Sequence, residues 1–95
     1  MSTTVGLLHL ELTIVQAMNL KDKRRVLKSF KDRLGGHFNV SVAEVARQDN
    51  CRYGVLAVAM VGSDRQYVEG ALQQIINAAA SHRDMILTAS DIQWL

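Results

Sequence analysis

The chain of 95 residues contains no proline, one cysteine, one tryptophan, two tyrosines and two phenylalanines. Its single cysteine, Cys51, cannot form an internal disulfide, which agrees with a reducing compartment. No Pro-rich, Gly/Ser-rich or low-complexity run marks a linker, so the length predicts one domain, residues 1–95, around one core. The apolar stretch at residues 5–15 is interrupted by His9 and Glu11 and is too short to span a membrane. We therefore expect a cytoplasmic protein with no membrane partner.

Residues that commonly carry metal or nucleotide chemistry are also few and scattered. The three histidines and the cysteine form no CxxC or HxxxH pair, so we expect no metal site. No glycine-rich nucleotide fingerprint is present, so we expect no cofactor. The KH signature GxxG is absent, and the loop at residues 15–19 lacks the arginine of an acylphosphatase-like site. These absences favour a protein without enzymatic activity.

Aromatic residues are missing from residues 54–61 and from the first strand. An RNA-recognition motif stacks bases on aromatics of its central strands, but residues 54–61 read GVLAVAMV. We therefore expect no base stacking on those strands. His9 and Glu11 project from the same side of the first strand, where an acid–base pair is one interpretation. A solvated pair or an interface contact is the preferred one.

The first strand and the first helix have clear sequence signals. Alternating apolar residues at 5–14 predict a strand. Its core-facing side chains are expected to be Leu8, Leu10, Leu12 and Ile14. Asn19 is placed to cap a helix over residues 20–34, and Asp22 at the third helical position favours the start. The two glycines at 35–36 predict where this helix stops.

The rest of the chain predicts three strands and a second helix. The strands are expected at residues 38–47, 53–61 and 85–90, with a hairpin turn at 48–51. A bulge or an early strand end is expected near Glu44, because Val45 breaks the alternation set by Val40 and Val42. The capping-box pattern Ser63–Gln66 places the start of the second helix at Ser63. The order βαββαβ predicts a ferredoxin-like α+β sandwich, with a four-stranded antiparallel sheet and two helices on one face.

The charge of the chain is concentrated in the first helix. Residues 20–34, LKDKRRVLKSFKDRL, hold seven of the eleven basic residues, which with two aspartates gives +5. The other 80 residues hold four arginines and seven acidic residues, which gives −3. A net charge of +2 therefore conceals an acidic body with one strongly basic element, a pattern typical of an anion-binding surface.

A helical wheel separates the apolar and basic residues of this helix. The apolar stripe contains Leu20, Val26, Leu27, Phe30 and Leu34. The opposite side contains Lys21, Arg24, Arg25, Lys28 and Lys31. Lys23 falls within the apolar stripe, where its methylenes are expected to follow the edge of the core and its ammonium to lie at the rim. Arg33 lies at the edge of the basic side.

The arrangement of these cations is unfavourable for the helix itself. Lys21, Lys23 and Arg24 crowd the first turn, where the helix dipole disfavours positive charge by roughly 0.3 to 1 kcal/mol each. Lys21 with Arg25, and Arg24 with Lys28, are like-charge pairs at i,i+4, each unfavourable by roughly 0.2 to 0.5 kcal/mol. Lys28 with Asp32 is a favourable pair, and Asp22 with Arg25 is a second candidate for one. Both a solvated face and a phosphate-binding face agree with the composition, and the unfavourable placement favours the second.

The basic segment also carries a family resemblance. LKDKRRVLKSFKDRL, followed by FNVSVAEV and Gln48-Asp49, resembles the YlxP-like family of small bacterial proteins of unassigned function. The similarity extends over nearly the whole chain. It implies a ferredoxin-like fold in a bacterial cytoplasm, from genes that often lie near those for translation and ribosome-maturation factors, and it supplies no binding residues. The chain departs from the family pattern at Asn19, where Ser is usual, and at Asn50-Cys51, where relatives commonly show an apolar residue and Trp.

Two functions from different classes follow. In the first, the protein is a non-enzymatic binding module for RNA or a ribosomal particle. The candidate phosphate contacts are Lys21, Lys23, Arg24, Arg25, Lys28, Lys31 and Arg33. In the second, it is a homodimeric interaction module or a small-ligand-responsive regulatory module that uses the open sheet face, because both sides of strand 53–61 are apolar and helices cover only one.

Overall fold

The computed structural model describes residues 1–95, and its six elements follow the order βαββαβ. The strands are β1 (Thr4–Ile14), β2 (Val40–Ala46), β3 (Tyr53–Gly62) and β4 (Met85–Trp94). The helices are α1 (Leu20–His37) and α2 (Arg65–Ala80). The strands form one antiparallel sheet in the order β2-β3-β1-β4, with both helices packed on one face. The predicted ferredoxin-like α+β fold is confirmed.

The core lies between the two helices and one face of the sheet. The four β1 side chains predicted to face inward are each at most 2% exposed. From the other elements, the core takes Leu56, Val58 and Met60 of β3, Leu27, Phe30 and Leu34 of α1, and Val68, Leu72 and Ile75 of α2. The alternate side chains of β1 and β3 point away from the helices and form the open face of the sheet.

Helix α1 begins where the sequence predicts and ends later. The side chain of Asn19 caps it by accepting a hydrogen bond from the backbone N–H of Asp22 at 2.9 Å. The predicted stop at residues 35–36 is wrong, since both glycines lie within the helix and neither has a positive φ. The helix ends at Phe38, whose N–H still bonds the carbonyl of Leu34 while its side chain packs against the core. A core contact, rather than glycine, sets this helix end.

Helix α2 begins one residue later than its capping pattern predicts. Its N-cap is Asp64, and the expectation that Ser63 starts the helix is wrong. The carboxylate of Asp64 accepts a hydrogen bond from the N–H of Gln66 at 3.2 Å. Ser and Asp are about equally good caps, so their backbone positions decide which one is used.

Each edge strand of the sheet carries one bulge. On β2 the register shifts between Glu44 and Ala46, which confirms the predicted bulge and leaves Val45 unpaired. On β4 the register shifts opposite residues 11 and 12 of β1, which leaves Thr88 unpaired. A bulge bends its strand and strengthens the local twist. Both edge strands of the sheet therefore bend at the same level along the strands.

Candidate nucleic-acid interface

The exposed side of α1 carries most of the predicted basic residues. Its apolar stripe is buried against the sheet, so the opposite side is turned to solvent. The exposed cations are Lys21, Arg24, Arg25, Lys28 and Arg33, and Lys31 is half-buried. One helix therefore presents six of the seven predicted phosphate contacts on the surface.

Lys23 is the exception, and the expectation that its ammonium lies at the rim is wrong. The residue is 0% exposed. Its Nζ donates hydrogen bonds to the carbonyls of Arg47 at 2.7 Å and Asn50 at 2.6 Å, and it lies 2.6 Å from Oε2 of Glu44. The Glu44 contact has the distance of a hydrogen bond but not its direction, so it is primarily a charge contact. With its charge neutralised in the interior, Lys23 is not available to an external phosphate.

The buried ammonium also fixes the loop between β2 and β3. Two of its three contacts are to carbonyls of this loop, at Arg47 and Asn50. The side chain of Asn50 holds the far end of the loop by accepting hydrogen bonds from the N–H groups of Arg52 and Tyr53. Gly54 leaves room for the Lys23 side chain, since a Cβ there would lie 3.2 Å from Cε. Lys23 thus ties the first turn of the basic helix to residues 47–50.

A groove of about 350 Å³ runs between α1 and the edge strand β2. It is lined by the cations Arg24, Lys28 and Lys31 and by the carboxylates of Asp32 and Glu44. Because Glu44 is paired with buried Lys23 and Asp32 with Lys28, the two remaining cations of the groove have no carboxylate within ion-pair distance. The groove is therefore positive despite its two acidic residues.

Lys28 and Asp32 form an ion pair on the exposed side of α1, as predicted. Nζ of Lys28 donates a hydrogen bond to Oδ2 of Asp32 at 2.8 Å. This hydrogen bond, together with the charge of the carboxylate, raises the pKa of Lys28. Both side chains are well exposed, so the pair keeps Lys28 charged without contributing much to stability.

A second cleft, of about 330 Å³, borders the other flank of α1. Ser29 and Arg33 line it from the helix, and His82 and Arg83 line it from the loop before β4. Arg83 was not among the predicted site residues. Arg33 and Arg83 are fifty positions apart in the sequence, and tertiary packing brings them close together. No local sequence pattern predicts such proximity.

The open face of the sheet contains the other residues singled out by sequence. His9 and Glu11 lie on this face as expected, because they alternate with the buried side chains of β1. His9 approaches Asp91 of β4, with 4.0 Å between Nδ1 and Oδ1. Glu11, two residues further along β1, lines a separate cavity with Tyr53. The two side chains thus have different neighbours, and the contact of His9 is with Asp91.

The structure contains neither a cluster of metal-binding side chains nor a helix suited to span a membrane. No group of three or more His, Cys, Asp or Glu side chains comes together in a way that would hold a metal ion. Neither helix combines the length and the apolarity needed to cross a lipid bilayer. Cys51, in the β2–β3 loop, is unpaired and half-buried.

Comparisons with known proteins agree with the resemblance seen in the sequence. A family model described as protein of unknown function, DUF503, matches residues 5–92. The chain is 32% identical over 90 residues to the uncharacterized protein YlxP of Bacillus subtilis (strain 168), covering 95% of this chain and 98% of that protein. Among solved structures, it resembles the de novo designed protein Foldit4 with a TM-score of 0.57 at 14% identity, over 99% of this chain and 97% of the other. The last similarity concerns the fold alone.

Proposed function

The chain belongs to the DUF503 family, whose members are described as of unknown function, and we propose from its own residues that it is a non-enzymatic RNA-binding module. The exposed side of α1 contacts phosphates of RNA, either free or within a ribosomal particle. Recognition on this helix is by charge and shape, since its lysines and arginines contact the backbone rather than base edges.

The observation that carries this proposal is the number of cations on α1 without a partner. Of the seven basic residues, Lys23 is neutralised in the interior and Lys28 is paired with Asp32. The remaining five have no carboxylate within 4.0 Å: Lys21, Arg24, Arg25, Lys31 and Arg33. Five uncompensated cations on the solvent-facing surface of one 18-residue helix, from the groove on one flank to the cleft on the other, give a positive surface of the kind that phosphate backbones bind.

A basic face that is only solvated explains this arrangement of cations on α1 less well. The like-charge pairs and the cations in the first turn together destabilise the isolated helix by something like 1 to 2 kcal/mol at low salt. A bound polyanion would reverse the sign of these terms. The phosphate-binding interpretation therefore explains both the number of the cations and their unfavourable positions.

The proposal predicts a steep dependence of RNA affinity on salt. With Lys23 buried, at most six cations of α1 reach phosphates, so four to six contacts give a log-log slope of roughly −3 to −5. Filter binding of total cellular RNA across a salt series measures this slope. A slope near zero would contradict phosphate contacts.

A charge-matched pair of variants assigns the binding to α1. Arg24→Gln/Arg25→Gln removes two exposed cations from the helix, and we expect weaker RNA binding with a slope shallower by roughly 2. Gln66→Glu/Gln73→Glu changes the net charge by the same amount at exposed positions of α2. If both variants bind RNA equally well, the binding surface is not α1.

A second candidate function rests on the open sheet face. Beside the polar side chains of His9 and Glu11, this face carries Leu7, Val55, Ala57 and Ala59, and two further apolar residues, Val61 and Ile86, are 54% and 55% exposed. Apolar surface of this kind often marks a site of association. In this alternative, which would close the face to other ligands, a second copy of the chain covers it, as a homodimer with two basic helices. Light scattering at low micromolar concentration that shows only the 10.6 kDa monomer contradicts this arrangement.

A further inference from the structure

A cavity of about 220 Å³ lies on the open face of the sheet, away from the exposed side of α1. Its polar lining comes from four elements of the fold: Glu11 and Thr13 of β1, Arg47 of the β2–β3 loop, Tyr53 of β3 and Thr88 of β4. Cavities that hold drug-sized ligands are typically about 300 to 1,000 Å³. This one therefore suits a single ring rather than a larger molecule.

The bulges in the two edge strands determine where this cavity lies. Val55 is the centre of one cross-strand row, paired with Glu11 on one side and with Ala46 on the other. The β2 bulge lies immediately before Ala46, and the β4 bulge at Thr88 lies beside the partner of Glu11. Bulges are frequent next to functional sites, where they redirect a side chain. Here the bulged Thr88 turns its hydroxyl onto the carbonyl of Glu11 at 3.1 Å.

Arg47 is held over the cavity in an uncommon backbone conformation. Its φ of 60° lies in the left-handed region, which non-glycine residues seldom adopt without a compensating contact. That contact is the buried ammonium of Lys23, which donates a hydrogen bond to the Arg47 carbonyl at 2.7 Å. The guanidinium then lies over the ring of Tyr53, 5.7 Å from its centroid. The buried lysine of the basic helix thus positions the arginine of the open face.

The chemistry of the lining fits an unstacked nucleobase. The Tyr53 ring, 43% exposed, and the planar guanidinium of Arg47 are both surfaces on which a base stacks. The carboxylate of Glu11 is only an acceptor, so it favours a base edge that presents an exocyclic amino group. Thr13 adds a hydroxyl that donates or accepts, and the Thr88 hydroxyl, which already donates to the Glu11 carbonyl, can accept. A small inorganic anion fits less well, because Glu11 would repel it.

We propose that this cavity binds one base of single-stranded RNA, preferentially a base with an exocyclic amino group. The inference rests on the proposed function: α1 holds the phosphates, and the strand passes the β2–β3 loop to place a base beside Tyr53. The sequence predicts no base stacking on residues 54–61 or on the first strand, and Tyr53, the first residue of β3, lies outside those residues. Uracil, which lacks an exocyclic amino group, is expected to bind less tightly than cytosine.

Fluorescence anisotropy with labelled oligocytidine, oligouridine and a short RNA duplex tests this at fixed salt. We expect Tyr53→Ala to weaken oligocytidine binding about 5- to 150-fold, the range of one lost base stack, and to leave the duplex affinity unchanged. Tyr53→Phe keeps the ring and should remain close to wild type. Glu11→Gln should reduce the preference for oligocytidine over oligouridine without changing duplex binding.

The variants separate failure of this site from failure of the basic helix. If Arg24→Gln/Arg25→Gln weakens every RNA while Tyr53→Ala changes none, the base site is overturned and the helix proposal stands. If Tyr53→Ala weakens single-stranded and duplex RNA equally, Tyr53 acts through the fold, and the base site is overturned as well. If the wild-type protein binds none of the three RNAs, both proposals are overturned.

Discussion

The ammonium of Lys23 lies 2.6 Å from the carboxylate of Glu44, in the interior of the protein, although Lys23 belongs to its most basic segment. The same nitrogen donates to two loop carbonyls, so it is surrounded by three oxygen atoms, two of them hydrogen-bonded and one in a charge contact. One lysine of the segment therefore organises the fold, while its neighbours in sequence are turned to solvent. Lys23 thereby connects the basic helix to the β2–β3 loop, which lies beside the cavity on the open face.

Replacing Lys23 by methionine should destabilise the protein strongly. The substitution keeps the apolar stem but leaves the Glu44 carboxylate partly buried without its counter-ion and two loop carbonyls without their donor. Removing one partner of a buried ion pair typically costs about 3 to 5 kcal/mol. Urea unfolding measures the loss, with Lys21→Met as an exposed control that is expected to change stability little. Equal stabilities of the two variants would show that the buried contacts are not important.

The double variant Lys23→Met/Glu44→Gln tests the coupling directly. Because it removes the uncompensated charge, it should be more stable than Lys23→Met alone, although the two carbonyls still lack a donor. If the stability change of the double variant equals the sum of the changes in Lys23→Met and Glu44→Gln, the ion pair does not contribute to stability as described.

The features that sequence predicts well are those that depend on periodicity. The alternation at residues 5–14 identifies the buried face of β1, and the apolar stripe of residues 20–34 identifies the buried side of α1, including the position of Lys23 within it. The partners of Lys23 are not predictable in the same way. Glu44, Arg47 and Asn50 lie at least 21 positions along the chain, and only the packing of α1 over β2 brings them together.

Helix ends and the cavity were missed for a related reason. A glycine pair permits a helix to stop, but the docking of Phe38 in the core decides where the chain leaves the helix. The cavity beside Tyr53 depends on two bulges on different strands, and the sequence indicated only the one near Glu44. Local patterns specify which side of an element is buried, whereas contacts between elements specify where it ends and what it adjoins.

Replacing Gly35 by alanine should stabilise the protein. Gly35 has a helical backbone, and an added Cβ would meet no atom within 4 Å, so the gain from alanine in a helix is about 0.5 to 1 kcal/mol. At Gly54 the opposite is expected, because an added Cβ would lie 3.2 Å from Lys23 and 3.4 Å from Glu44, which hold each other in place. Thermal unfolding of the two alanine variants should give shifts of opposite sign. A destabilised Gly35→Ala would mean that the helix ends before residue 35.

Ser63 and Asp64 are neighbouring candidates for the N-cap of α2, and the stabilities of their alanine variants can be compared. Asp64→Ala removes the acceptor for the N–H of Gln66 and should cost about 0.5 to 2 kcal/mol. Ser63→Ala should change stability by less than about 0.5 kcal/mol, because its side chain does not cap the helix. Urea midpoints of the two variants check this order. The reverse order would support the capping box at Ser63.

The raised pKa of Lys28 gives a prediction at alkaline pH. Since its pKa is higher in the folded protein, the contribution of the pair to stability is fully present below the ordinary lysine pKa and is lost as pH rises through the raised value. Asp32→Asn removes the negative charge and leaves only an amide oxygen as a weaker acceptor, so the pKa of Lys28 should fall. An NMR titration of the Lys28 side chain measures it, with Glu69→Gln on α2 as a control that leaves it unchanged. An unaltered Lys28 titration in Asp32→Asn contradicts the pair in solution.

Removing two cations from α1 should stabilise the fold while weakening RNA binding. Arg24→Gln/Arg25→Gln eliminates the like-charge pairs that these residues form with Lys28 and Lys21, and glutamine has nearly the helix propensity of arginine. With the reduced charge near the helix start, we expect a gain of about 0.5 to 1 kcal/mol in urea unfolding at low salt. The gain should shrink in 1 M salt, where the screening length is about 3 Å. A loss of stability at low salt would mean that these arginines serve the fold, and the argument that their positions favour an external anion would fail.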